Sequence, residues 1–252
     1  MEGKKQVIYD ELPLSNKEKI SFFFVVFAIG LAVGKLFYES IKIGTIVAAA
    51  LCLYFPKYKQ KKKEKHKSEL LLQFRDMLYS ISSSISVGRS MSQALEESIN
   101  FWEATYEESD YIMIELRSMV NRIKNSNEKD ITVLKDFARR ANLEDVSDFV
   151  TVYEATKESG GNLVKAINRA TTIIGDKITL EKELKVLMTE KAFEGRIVGA
   201  APFLIMLFLR LTSPEYLEPL TSTTKGHMIA TIALVFIGFA MLMIERINSI
   251  EV

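Results

Sequence analysis

Hydrophobic residues gather toward the two ends of this chain, and between them apolar and polar positions alternate with a helical period. Four apolar runs stand out, at residues 20–38, 41–56, 197–211 and 227–244. A helix needs about 20 mostly apolar residues to cross a bilayer, so each run is a candidate span. The last is uncharged apart from His227. The third carries Arg210 near its outer end, where a long stem is expected to snorkel to the headgroups. The first two contain Lys35 and Lys42 and are joined only by Glu39 and Ser40. As a helix, run 41–56 rises about 24 Å, which calls for a thin bilayer or for flanking aromatics such as Tyr54 and Tyr58. The two runs predict a tight two-span hairpin over 20–56, with one span and an interfacial helix as the alternative. A cleaved signal peptide is not expected, because the apolar run starts late and no small-residue cleavage pattern precedes the next one.

The middle of the chain reads as helix throughout. Leu70, Phe74, Met77, Leu78, Ile81 and Ile85 make one face of a helix ending near Gly88. Ser90 or Ser92 can cap a second that carries Ala94, Leu95, Ile99 and Trp102. Ile112, Leu116, Met119, Val120 and Ile123 mark a third, and Leu134, Phe137, Ala138 and Ala141 a fourth. Val146, Phe149, Val150 and Tyr153 mark a fifth, which stops at Gly160 and Gly161, because a helix C-terminus commonly needs a left-handed residue. Asn162 is the expected N-cap of a long sixth helix, whose stripe runs through Leu163, Ile167, Ala170, Ile174, Ile178, Leu184, Leu187 and Met188. No proline interrupts 57–201, and no segment alternates like a strand. The expectation is an all-α integral membrane protein, with a six-helix cytoplasmic bundle over 68–195 between two N-terminal and two C-terminal transmembrane helices. The C-terminal pair covers 196–244 around a short outer loop, 212–226.

Charge orients this arrangement. Residues 57–67 hold seven Lys and one Glu, the tail 1–19 adds Lys4, Lys5, Lys17 and Lys19, and the loop 212–226 has one Lys against two Glu. Both termini, including the short tail 245–252, and the bundle are therefore expected on the cytoplasmic side. A run like 57–67 can bind nucleic acid or anionic lipid; directly after a span, the orienting, lipid-facing role is the expectation. Residues 68–195 carry 16 Lys and Arg against 22 Asp and Glu, a net of −6, which argues against duplex binding. No nucleic acid partner is expected.

Candidate chemistry is sparse. Cys52 is the only cysteine and lies among Ala48, Ala49, Ala50, Leu51 and Leu53, a setting for a buried, inert thiol. His66 and His227 have no second ligand at metal-binding spacing, and no phosphate-binding GxxxxGK[ST] loop occurs. Ser82, Ser83 and Ser84 read as packing or exposed positions. No catalytic, cofactor or metal site is expected, so any nucleotide-driven work falls to a partner. The acidic group Glu96, Glu97, Glu103, Glu107, Glu108 and Asp110 reads as a solvated face around a loop. Glu154 and Glu158 share one helical face and can pair with Lys157 or Arg169, or contact a partner. Pro202 reads as a kink or a helix start.

Three stretches give these features a common origin. Phe74 to Leu95 pairs a helix with a small-residue turn at Gly88 and a following Ala94-Leu95. Residues 148–163 end in Glu158, Ser159, Gly160, Gly161, Asn162 and Leu163. Pro202 opens the third span, and Pro214, Tyr216, Leu220, Thr223 and Gly226 follow in the spacing P-x-Y-x3-L-x2-T-x2-G. In order and placement, over about residues 65–250, these resemble the type II secretion system F-domain family, most closely its tight-adherence B branch. The chain holds one copy of the domain, as in that branch, where the classical members hold two. The proline that often opens the first cytoplasmic helix is replaced by the region of Glu69 and Leu70. The resemblance implies a non-enzymatic platform in the cytoplasmic (inner) membrane, homo- or hetero-oligomeric with a sister half-length F-domain protein. Such a platform couples a secretion ATPase to pilin assembly. A membrane-anchored signalling module is the alternative, and a small transporter or membrane enzyme a further one. Almost no ionisable residue sits centrally in the spans, which weighs against the last.

Overall fold

The computed structural model describes residues 16–248; most of the N-terminal tail, with Lys4 and Lys5, lies outside them. The fold is all-α, and no strand occurs among the described residues. The helices are α1 (Asn16–Tyr38), α2 (Ile41–Cys52), α3 (Phe55–Ser86), α4 (Met91–Trp102), α5 (Tyr111–Asn125), α6 (Asp130–Ala141), α7 (Glu144–Glu158), α8 (Leu163–Thr212), α9 (Glu218–Thr221) and α10 (Thr224–Asn248). A 3-10 turn, Pro214–Tyr216, precedes α9. The chain divides into two compact units, a helical unit of Gln60–Leu180 and an apolar unit of the remaining described residues; α3 and α8 contribute to both.

The helical unit has one core. Leu70, Phe74, Met77, Leu78 and Ile81 of α3 are fully buried, with Leu95, Met113, Leu116, Phe137 and Ile167 from the other helices around them. Phe74 lies at its centre, edge-on to Phe149 at 5.6 Å and tilted against Phe137 at 5.8 Å, geometries that favour aromatic pairs beyond area burial. Helix ends explain where the elements start and stop. Ser90 closes a full capping box with Gln93 at the start of α4. The buried Gln73 accepts from the backbone N–H of Ile112 at 3.1 Å, which satisfies an otherwise orphaned donor in the first turn of α5. Gly88 ends α3 at φ +87°, and Gly160 ends α7 at φ +67°.

The apolar unit rests on close backbone approach. A methyl carbon added to Gly34 would lie 2.3 Å from the Gly44 Cα, and one on Gly30 would lie 2.5 Å from the Ala48 Cβ. Gly30 and Gly34 on α1 thus face Ala48 and Gly44 on α2, an antiparallel pair of small-xxx-small ridges that lets two apolar helices touch along their backbones. Gly195 and Gly199 of α8 instead make room for the side chains of Ile244 and Met241 of α10. Phe37, Tyr38 and Ala230 form a small core with Phe203 and Met206. Outside these contacts the surface is apolar, with Phe24, Leu211 and Phe236 each more than two-thirds exposed.

Three helices are long and apolar enough to cross a membrane: Asn16–Tyr38, a window within Leu163–Thr212, and Thr224–Ile244. α2 is only 12 residues long and passes the same test only together with α3, across a 44° bend. The sequence leaves open whether the stripe of the sixth helix packs internally or against another subunit, and α8 bears on this. The sixth bundle helix and the third apolar run are one helix, with Pro202 inside it. Its buried stripe stops at Ile178, and Leu187 is 62% exposed. Helical spacing alone could not show where the packing partner ends.

Candidate functional site

The glycine motif residues lie where the helices turn, while Ala94, Leu95 and Pro202 lie within helices. Ser82 Oγ donates to Asn168 Oδ1 at 2.5 Å, and Arg75 Cδ lies 3.7 Å from where a Gly175 side chain would begin. Both pairs fit one antiparallel register of α3 against α8, which sets Gly88 level with Asn162. The two glycine turns therefore share one end of the helical unit. Both are closed by main-chain bonds in the Schellman pattern: Arg89 N–H to Ser84 O at 3.2 Å, and Gly161 N–H to Thr156 O at 2.8 Å. Asn127 ends α5 with a third left-handed residue, φ 51°. A side chain at Gly88 or Gly160 would meet nothing, so their backbone conformation rather than space requires glycine. Asn162 accepts from the Lys165 N–H at 2.9 Å, the N-cap of α8. Leu163 is half-buried against the core. Beside this junction a cavity of about 630 Å³ is lined by Asn162, Val164, Lys165, Asn168, Arg169, Thr172 and Ile173.

The acidic positions are largely engaged. Glu154 pairs with Lys135 at 2.5 Å, while Lys157 reaches Asp130 instead, and Glu158 is exposed. Glu96 holds Lys124, Glu97 holds Arg89 and Glu108 holds Arg117. Of the serine run, Ser82 is buried and Ser83 exposed. Ala94 and Leu95 are fully buried in α4, and Ser159 donates back to the Ala155 carbonyl at 2.8 Å.

Charged groups inside the helical unit went unread in the sequence. Arg140 forms two parallel bonds to the buried Glu115 carboxylate, at 2.5 and 2.6 Å, and its Nε donates to Asp136. Arg122 joins Asp136 to Glu128. Burial pushes Asp136 up, but donors from Arg139, Arg122 and Arg140 outweigh it and hold the carboxyl below the usual range. Asp130 is likewise raised by burial and lowered further by Lys157, Tyr153 and the Ile131 N–H, with a net shift down. Burial and the hydrogen bond to Asp130 keep Tyr153 protonated well beyond its ordinary range. The i, i+4 spacing of Asp136 and Arg140 was visible; that Glu115 faces Arg140 required the fold.

In the apolar unit, Arg210 has partners that the sequence does not show. Its Nη1 donates to the Lys35 and Leu36 carbonyls at 2.7 and 3.1 Å, and its Nη2 meets Glu39 at 2.5 Å. It thereby caps the C-terminal end of α1. Nearby, His227 Nε2 lies 2.7 Å from the Thr221 carbonyl, and the Tyr38 hydroxyl bonds Thr231 at 2.8 Å. Gly226 is needed where it stands, since a side chain there would fall 2.4 Å from the Pro219 and Leu220 carbonyls. Pro214 opens the 3-10 turn, and Tyr216 beside it is exposed. Cys52 is half-buried. No group of three or more His, Cys, Asp or Glu able to hold a metal ion occurs among the described residues. No family model, curated protein or solved structure matches the chain.

Proposed function

We propose that this chain is a non-enzymatic platform protein of the cytoplasmic membrane, serving a Tad/type IV pilus or type II secretion-like machine. It works beside a sister half-length protein and couples a secretion ATPase to pilin assembly. The observation that supports this most is the joining of two of the resembling stretches: the Gly88 turn and the Gly160–Asn162 junction meet at one end of the helical unit. The exposed Glu158 and the face of α8 beside it form a surface that a partner can grip. The span-capable helices flanking that unit in the sequence provide the membrane anchor. Both termini lie on the cytoplasmic side, by the distribution of Lys and Arg. The chain supplies no chemistry of its own and passes motion between partners.

The test is site-specific photocrosslinking from positions 154 and 158 of the full-length chain in its native cell. Crosslinks to a secretion ATPase or to a second F-domain protein are expected, together with loss of surface pili on deletion. Intact pili after deletion, or uptake or turnover of a solute by the purified chain, would remove the proposal.

A further inference from the structure

We infer that the first turns of α3 form a binding surface for anionic phospholipid headgroups, one that selects them over zwitterionic lipid. The inference rests on the membrane reading of the apolar unit but not on which machine the chain serves.

The run 57–67 is not a loose tail but the opening of the 32-residue α3, and its first turn holds no acidic residue. A helix N-terminus carries a partial positive charge and prefers acidic neighbours; here it meets lysines. Like charges also stack along the helix at i, i+4 in Lys57 and Lys61, a destabilising spacing, and the exposed Lys59 lies between them. Within the run the only acid is Glu64. Such a helix is built to its own electrostatic disadvantage, and an external anion relieves it.

Its position says which anion. Tyr58 packs on Phe22 at 4.9 Å, and Phe55 on Phe22 and Phe23 at 5.4 and 5.5 Å; of these rings Tyr58, with Tyr54 nearby in sequence, is the type that sits at headgroup depth. Lys57 lies over the Tyr54 ring at 4.8 Å. α3 leaves α2 at 44°. With α2 along the bilayer normal, the rise from Phe55 to Lys61 is about 9 Å along α3 and about 6 Å away from the membrane. That is inside the screening length of about 8 Å at physiological salt. Lys57, Lys59 and Lys61 are exposed there. Farther on, Lys65 turns to Glu69 and Lys67 donates to the Asn142 carbonyl, so the lipid surface is the first two turns.

The test uses the full-length chain in phosphatidylcholine bilayers containing trace spin-labelled phosphatidylglycerol or spin-labelled phosphatidylcholine. The motionally restricted fraction gives the relative affinity of the two lipids. A lysine near an anionic surface is worth about fivefold, which appears as on the order of twofold preference when averaged over all lipids around the protein. The preference should fall toward unity as salt rises, vanish in K57Q/K59Q/K61Q and survive in K57R/K59R/K61R. Equal preference in the wild type and the Gln variant would mean that the lysines only set orientation during insertion, and would overturn the inference. So would a wild-type preference indifferent to salt, which needs no variant to fold. Tighter salt-sensitive binding of the solubilised chain to a 20-base-pair duplex than to anionic lipid would assign the surface to nucleic acid. Absence of restricted label with either lipid would instead show that the chain does not enter bilayers, a failure of the membrane reading itself.

Discussion

The sharpest consequence of the buried charges is that removing one partner costs far more than removing both. Glu115 is 1% and Arg140 6% exposed, and their bidentate bond lies inside the helical unit. In Glu115→Ala the guanidinium keeps its desolvation penalty and loses its main compensation, a change worth about 3–5 kcal/mol. The unit spans about 120 residues. At roughly 2.1 cal/mol/K per residue its unfolding entropy is about 0.25 kcal/mol/K, so the midpoint falls by about 12–20 °C. The double variant Glu115→Leu with Arg140→Met removes both charges and retains volume, and should lie within about 6 °C of the wild type. Trp102 is the only tryptophan, and its indole donates to the Asp76 carbonyl and to Ser80 inside this unit. Its emission therefore follows unfolding of this unit in the detergent-solubilised full chain. A single variant that melts within about 4 °C of the wild type would refute the reasoning. So would a double variant as unstable as the single.

Other expectations follow from the same geometry. Gly34→Leu should overpack the α1–α2 contact by about 1–3 kcal/mol and lower the temperature at which the full chain aggregates in detergent. Gly238→Leu, where an added side chain meets nothing, should leave that temperature unchanged. Gly160→Ala should cost about 1–2 kcal/mol of bundle stability through its left-handed backbone alone, read from Trp102 emission under urea; a neutral result would mean that the turn relaxes without loss. Asp130 and Asp136 sit below their unfolded values, so the unfolded state binds more protons as pH falls. The stability they contribute is present above about pH 4 and lost below it. Trp102-monitored stability should be flat from pH 8 to 5 and fall below about 4, less steeply in Asp136→Asn, and a loss already complete at pH 5 would contradict the assignment.

Helix positions were legible because each bundle helix shows one apolar face, and that face is what the core buries. Asn162 as a cap and Gly160 as a stop were readable for a local reason: capping and left-handed turns are settled within five residues. Gly30, Gly34, Gly44 and Ala48 pass unnoticed in an apolar run, since hydropathy counts composition and ignores which small residues line a ridge. The partners of Arg210 were not legible, because only the fold brings the α1 carbonyls within its reach. The same limit hid Glu115 with Arg140, two residues 25 positions apart on different helices.

The end of the helical unit at Gly88 and Gly160 is held shut by bonds of the main chain. Folding there asks for glycine at two positions and an acceptor at Asn162, and little of the neighbouring side chains. The exposed Glu158 is therefore free to change at no cost to the turn. A small peptide tag or an altered recognition patch can be grafted at this tip with the core undisturbed. In evolution the same freedom would let the exposed surface drift while the turns beneath it stay put.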